Sequence, residues 1–368
     1  MIHKKRRIWL PVVVAAVGLL AVSCGDSGSD AATDGSGGSA PVKSASSEAI
    51  AGISHDLKGS GASFPDAFYQ EAIEGLADEA PELTVTYEAV GSSSGREAFA
   101  QRLNDFAGTD SLVKEEENLA ADSFFYIPST AASIAVVFNL PSVEEVDLDG
   151  PTLAKIFDRK ITRWDDPAIA ATNEGADLPD LEITVARRSD GSGTTKNFTK
   201  FLESAAPGVW TLGSDDTIEW APDTEGGQQN PGVAQIVSST EGAIGYVDFG
   251  SASELGLSMA AVGNVEGNFV APSIESTVAA LAGAELAEDL TYDPLNGPGA
   301  DAYPITAPTY LLVRSSYDDA ATGKAVVAFV TWLITDGADS YATDLGYAPT
   351  PEAFRTRSLE KLAEVQMG

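Results

Sequence analysis

Apolar residues change their spacing repeatedly along the chain, and each change predicts an element. Pro65 to Glu79 places Phe68, Ala72, Ile73 and Leu76 on one helical face, and Pro81 stops it. Leu83 to Tyr87 is short and β-rich. Glu97 to Leu103 reads as a helix, and Phe106-Ala107-Gly108 restarts extended chain. Ile127 to Leu140 holds a β-branched apolar stretch, read as a buried strand and a crossover. Leu153 to Phe157 is a short helix, Ile183 to Ala186 a strand, and Thr195 to Leu202 a helix. Ala243 to Phe249 and Tyr310 to Val313 read as strands, and Ala325 to Ile334 as a strongly apolar helix. This alternation predicts α/β layers without an internal repeat.

The chain before Leu57 follows other rules. Lys4, Lys5, Arg6 and Arg7 precede an apolar run of fifteen residues, Ile8 to Val22. The run is too short to span a membrane comfortably, so residues 1–23 are read as an export signal. Its end, Leu20-Ala21-Val22-Ser23-Cys24, resembles a bacterial lipobox, in which a small residue precedes a cysteine that becomes diacylated. Ala21 stands where Leu is usual. Cys24 is the one cysteine of the chain, which excludes an intramolecular disulfide. Residues 24–54 are rich in Gly, Ser, Ala and Asp, and are expected to form a flexible tether behind the anchor.

Length and composition then narrow the function. The 368 residues, 43% hydrophobic, suffice for two domains. There are 22 basic and 55 acidic residues, a net charge of −33; without the leader, eighteen basic residues remain against 55, or −37. Such a surface repels nucleic acid and anionic membranes, and any anionic ligand must be held by local groups. The two histidines, His3 and His55, fall outside the expected folded body. Histidine metal sites and Ser-His or Cys-His catalysis thereby lose their usual base. No cofactor or metal is expected.

Three segments share one design: a strand end, then Gly and hydroxyl residues, then a helix. They are Gly59-Ser60-Gly61-Ala62-Ser63-Phe64-Pro65, Gly91-Ser92-Ser93-Ser94-Gly95, and Arg187-Arg188-Ser189-Asp190-Gly191-Ser192-Gly193-Thr194-Thr195. Ser63 with Asp66, and Ser94 with Glu97, have the spacing of capping boxes. Each segment presents backbone N–H groups at the positive end of a helix, beside hydroxyl donors, which suits an oxyanion. A single such segment is more often a plain cap. Arg188 adds a forked donor, and Asp190 is positioned to hold its guanidinium. The plainer reading of Arg188 is a surface ion pair.

With these residues the chain resembles the PstS family, the phosphate-binding proteins of bacterial ABC phosphate transporters. Ala62-Ser63-Phe64-Pro65, Val90-Gly91-Ser92-Ser93-Ser94-Gly95 and Phe106-Ala107-Gly108-Thr109-Asp110 are similar to its first three site segments. Arg188-Ser189-Asp190-Gly191-Ser192-Gly193-Thr194 is similar to the fourth and most specific. Trp164-Asp165-Asp166-Pro167, Gly242 to Val247, Tyr303 to Thr306 and Gly346 to Pro349 add support. The resemblance implies phosphate binding by Ser63, Phe64, Ser92, Asp110, Arg188, Ser192, Gly193 and Thr194, with Asp190 behind Arg188. Asp110 would accept a hydrogen bond from the ligand. Ser94 replaces a common glycine, and Arg96 stands where an apolar residue is usual, either adding positive field or pointing outward.

Asp110 bears on ligand choice. Phosphate near neutral pH carries protons and can donate to a carboxylate, whereas sulfate cannot, and a like charge buried against it costs several kcal/mol in order of magnitude. The plainer reading of Asp110 is a helix N-cap. The resemblance also implies a two-lobed periplasmic-binding-protein-like fold (type II), two mixed-sheet α/β lobes around a cleft. Lobe one is expected at 55–128 plus 306–368 and lobe two at 129–305, with crossings near Pro128-Ser129-Thr130 and Ala307-Pro308-Thr309. The expected protein is no enzyme but an extracytoplasmic, lipid-anchored receptor that passes phosphate to permease subunits. Alternatives are a receptor for sulfate or molybdate, a surface lipoprotein without ligand, and a secreted phosphatase or hydrolase. For the last, Gly91 to Gly95 matches the G-x-S-x-G nucleophile elbow but no histidine follows it.

Overall fold

The computed structural model describes residues 44–141 and 143–368. The expected export signal and Cys24 lie outside the described residues. The last part of the expected tether, 44–54, is not extended chain. Ala45–Ile50 forms helix α1, capped by Ser44, whose Oγ accepts from Ser47 N at 3.1 Å. Ile50, the one large apolar residue of α1, is buried, and it gives the helix a face to dock.

Strands β1 (His55–Gly61), β2 (Leu83–Ala89) and β3 (Phe106–Thr109) alternate with helices α2 (Asp66–Glu79) and α3 (Ser92–Ala100). His55, expected outside the folded body, is the first residue of β1, and its Nε2 lies 3.0 Å from Thr322 Oγ1. β4 (Phe124–Phe138) follows, then α4 (Gly150–Phe157), β5 (Thr184–Arg188), α5 (Gly193–Ala205), β6 (Thr224–Gly227), α6 (Gln229–Ser239) and β7 (Ala243–Asp248). β8 (Thr306–Arg314) and α7 (Ala320–Trp332) close the main set; α7 continues through 333–342 in wider π-helical turns and carries α1 against its side. The hydroxyls of Ser44, Ser46 and Ser47 all donate to Asp336 in that extension.

The strands form one hydrogen-bonded path in the order β2-β1-β3-β8-β4-β7-β5-β6. β1, β2 and β3 run parallel, as do β5, β6 and β7. β8 is antiparallel to both β3 and β4. The mixed α/β architecture is as expected, but β4 is one unbroken strand of fifteen residues rather than a strand and a crossover. Its first part pairs with β8 and its last five residues with β7. Pro128 is tolerated inside it because the register shifts there: Thr130 faces Thr309 and Pro128 faces Tyr310, leaving Ser129 as an extra residue. The Ser129 hydroxyl pairs with Tyr69 Oη at 2.6 Å and with Thr309 O at 3.4 Å.

Two expected capping boxes are absent. α3 starts at Ser92, so Ser94 lies inside its first turn and is exposed. α2 is preceded by Pro65, and no side chain caps it. α3 can start this early because Gly95 lets it rest on the end of β1. A Cβ there would lie 2.3 Å from Gly61 Cα. In the second half, Phe198 stacks on Tyr246 at 4.3 Å, with Phe157 and Trp220 around them, which anchors α5 to β7.

Candidate functional site

Parallel strands flanked by helices leave a crevice at their carboxyl ends. Five strand ends supply residues here: β1 leads to Ser63, β2 to Ser92, β3 to Asp110, β5 to Arg188 and Thr194, and β6 to Asn230. Backbone bonds hold the first three together, with Gly91 N donating to Gly61 O at 2.8 Å and Ala62 N to Gly108 O at 2.9 Å. The two halves also touch: Ser93 N donates to Gly191 O at 3.3 Å, and Gly193 N to Ser92 Oγ at 3.3 Å. Asn230 N donates to Ser63 Oγ, also at 3.3 Å, which gives Ser63 an acceptor role other than capping. All eight residues expected at the site are buried: Ser63, Phe64, Ser92, Asp110, Arg188, Ser192, Gly193 and Thr194.

Arg188 ends β5 and is 3% exposed. Its Nε donates to Asp190 Oδ1 at 2.8 Å and its Nη2 to Asp190 Oδ2, a two-point fork. Nη1 donates to Asn230 Oδ1 at 2.7 Å and approaches Thr194 Oγ1 at 3.5 Å. Burial opposes the Asp190 charge, but Arg188 outweighs it and holds the carboxyl below its usual range. Asn230 in turn donates to Asp248 Oδ1 at 2.7 Å, and burial pushes that acid up. Arg188 is therefore no surface ion pair.

Ser192 caps α5, accepting from Thr195 N at 3.2 Å. The N–H of Thr194, in the first turn, has no intrahelical acceptor. Gly193 is required by proximity: a Cβ would sit 2.7 Å from Asp110 Cβ and 2.8 Å from Ser92 Oγ. Phe64 is wholly buried with its carbonyl accepting from Tyr347 Oη at 2.7 Å.

Asp110 follows β3 and caps no helix. Thr309 Oγ1 donates to its Oδ1, and Ser92 Oγ lies 3.5 Å from its Oδ2. Asn197 Nδ2 donates to its carbonyl at 2.6 Å. Burial pushes the Asp110 carboxyl up to about 7, against the pull of the Thr309 bond and Arg188; Asp248 and Asp216 push it further. At neutral pH it can thus share a proton with an anion. A cavity of about 810 Å³, walled by Lys114, Lys196, Asn197 and Tyr310 among others, reaches Asp110.

Arg96 neither faces this crevice nor points outward. It is 0% exposed, with its guanidinium on Glu117, Thr109, Ser111 and Asp216. Two partners were missed in the sequence, Asn230 and Thr309. A signal for Asn230 exists: Gly226-Gly227-Gln228-Gln229-Asn230-Pro231 repeats the design of strand end, glycine, polar residues and helix. Thr309 had none, since its partner lies 199 positions away.

At the elbow-like segment, the middle Ser93 donates to Asp216 Oδ2 at 3.3 Å. His55 sits at the opposite end of β1 from Ser63. Among the described residues, no group of three or more His, Cys, Asp or Glu side chains is placed to hold a metal.

Residues 31–336 match the PBP superfamily domain. The phosphate-binding protein PstS 3 of Mycobacterium leprae is 34% identical over 357 residues, covering 93% of this chain and 96% of that protein. The phosphate-binding protein PstS of Pasteurella multocida is 36% identical over 302 residues, covering 80% and 86%. Among solved structures, a periplasmic phosphate-binding protein (PfluDING) bound with phosphate has a TM-score of 0.68 at 24% identity, covering 82% and 92%. The phosphate-binding protein from Stenotrophomonas maltophilia has a TM-score of 0.65 at 23% identity, covering 83% and 94%.

Proposed function

The chain belongs to the PstS family of phosphate-binding proteins, and from that premise we propose that it captures inorganic phosphate and delivers it to the permease of an ABC importer. One observation carries the proposal: a buried carboxyl, Asp110, stands among the same converging strand ends as one buried arginine, Arg188, and a set of hydroxyl and N–H donors. Arg188 supplies the charge that an anion needs. When ionised, Asp110 needs a proton from the anion, which phosphate carries near neutral pH and sulfate or molybdate does not, and this favours phosphate.

In this reading Ser63, Phe64 and Ser92 donate from one side, and Ser192, Gly193 and Thr194 from the other. Asp190 and Asn230 keep the Arg188 fork in plane. The lobes are 55–128 with 306–368, and 129–305, and phosphate favours their closed arrangement because it engages both at once. The export signal at 1–23 is removed, and diacylated Cys24 anchors the protein at the extracytoplasmic face of the cell membrane, with the tether ahead of α1. The protein binds without turnover.

Calorimetry of phosphate against sulfate tests the assignment, and a preference for sulfate would overturn it. Scattering should show a smaller radius of gyration with saturating phosphate; an unchanged curve would sink the hinge. Sustained phosphate release from a generic monoester would refute binding without catalysis.

A further inference from the structure

Beside the crevice, one turn along α3 from Ser92, lies a second charged cluster. Arg96 Nε donates to both Glu117 oxygens at 2.9 Å, and Nη1 to Thr109 Oγ1 at 2.9 Å and Ser111 Oγ at 2.6 Å. Nη2 reaches Asp216 Oδ2 at 2.6 Å. That oxygen also meets Lys114 Nζ at 3.1 Å and Ser93 Oγ at 3.3 Å. Asp216 is 1% exposed and belongs to the connection between α5 and β6, in the opposite half of the chain from Arg96. Burial works against its charge, but Arg96 and Lys114 hold its carboxyl below the usual range.

The same residue touches the candidate site through its backbone. Asp216 O accepts from Ser192 N at 3.0 Å, and Ser192 caps the helix that presents Gly193 and Thr194. Arg96 lies one turn along α3 from Ser92, whose hydroxyl accepts from Gly193 N. The ion pair therefore joins, from outside, the two segments that a bound anion would join from inside.

We infer that Arg96 and Asp216 form a buried latch that positions the Ser192–Thr194 donors against Ser92 and sets how long the ligand stays. The inference rests on the phosphate reading above. Opening the crevice must part this pair, hydrating Asp216 while Arg96 keeps Glu117. The pair adds to the barrier for release and contributes nothing to the first encounter, which occurs with the halves apart. Arg96 and Asp216 are positioning residues: they act on the ligand through Ser92 and Ser192.

The test is stopped-flow binding of inorganic phosphate to the wild type and to D216N. The substitution keeps shape and removes the charge. The latch predicts a dissociation rate raised about tenfold or more, with the association rate within about twofold. D216E, which restores the charge, should recover part of the loss. Loss of fold alone would lower the melting temperature without this split between rates. Should D216N fail to fold, K114Q loosens the same carboxylate from its partly exposed side and must still raise the dissociation rate. Unchanged dissociation in the folded variant overturns the latch. Failure of the wild type to bind phosphate overturns instead the functional reading on which it rests.

Discussion

Asp110 is an acid held where an anion should go, and its titration is the sharpest handle on the site. Burial raises its pKa to about 7. An acid whose folded pKa is raised favours folding below its unfolded value, and that contribution is lost as pH rises through the folded pKa. The ligand-free protein should therefore lose thermal stability as pH rises through about 7, and D110N should flatten this slope. Melting curves across that range check it; equal slopes would show that another group titrates. D110N should also narrow the preference for phosphate over sulfate, since the amide can donate to an unprotonated anion. R188A should cost about 2–5 kcal/mol of phosphate affinity, because it removes the one charged donor and strands Asp190. Calorimetry reads this directly, and a much smaller loss would place Arg188 outside the site. Arg188 and Asp190 were legible together because their interaction spans two positions. Arg96 was not, because its partners Thr109, Glu117 and Asp216 come from three separate segments.

At the scale of elements, the start of α5 is held close against β3 and α3. G193A would drive a methyl group into Asp110 and Ser92, so the helix must retreat from β3. The expected outcome is a stability loss of about 1–3 kcal/mol with a collapse of phosphate affinity. Denaturant unfolding and calorimetry measure the two, and intact affinity would mean that the helix end is not part of the site. Local signals predicted α2, α5 and most strands, since their apolar spacing and breakers are written within each segment. They misplaced the start of α3, where the Ser-Gly run resembles a loop until packing on β1 is known. They also missed α1, whose short length and lone Ile50 stabilise it only when docked on α7.

At the scale of the whole molecule, the charge opposes the ligand. A net −33 should repel phosphate at long range, and salt screens that repulsion, with a Debye length of about 8 Å at physiological ionic strength. Association with phosphate should accordingly quicken as salt rises from about 0.01 to about 0.15 M. Stopped-flow kinetics decides the sign, and slowing with salt would reveal a cationic funnel. Short-range capture by Arg188 and neutral donors is compatible with such a surface because the site itself is buried.

By itself the sequence determined the α/β alternation and the Arg188–Asp190 fork, and it set the expectation of an oxyanion site at three strand-to-helix junctions. These depend on residues within a few positions of one another. Only the tertiary structure decided that the junctions converge, that Asn230 and Thr309 bond to Arg188 and Asp110, that Ser63 accepts from Asn230 rather than capping α2, and that Arg96 is locked to Asp216. Each of these is a contact between segments 42 to 199 positions apart, where only the packing of strands and helices brings the partners within reach.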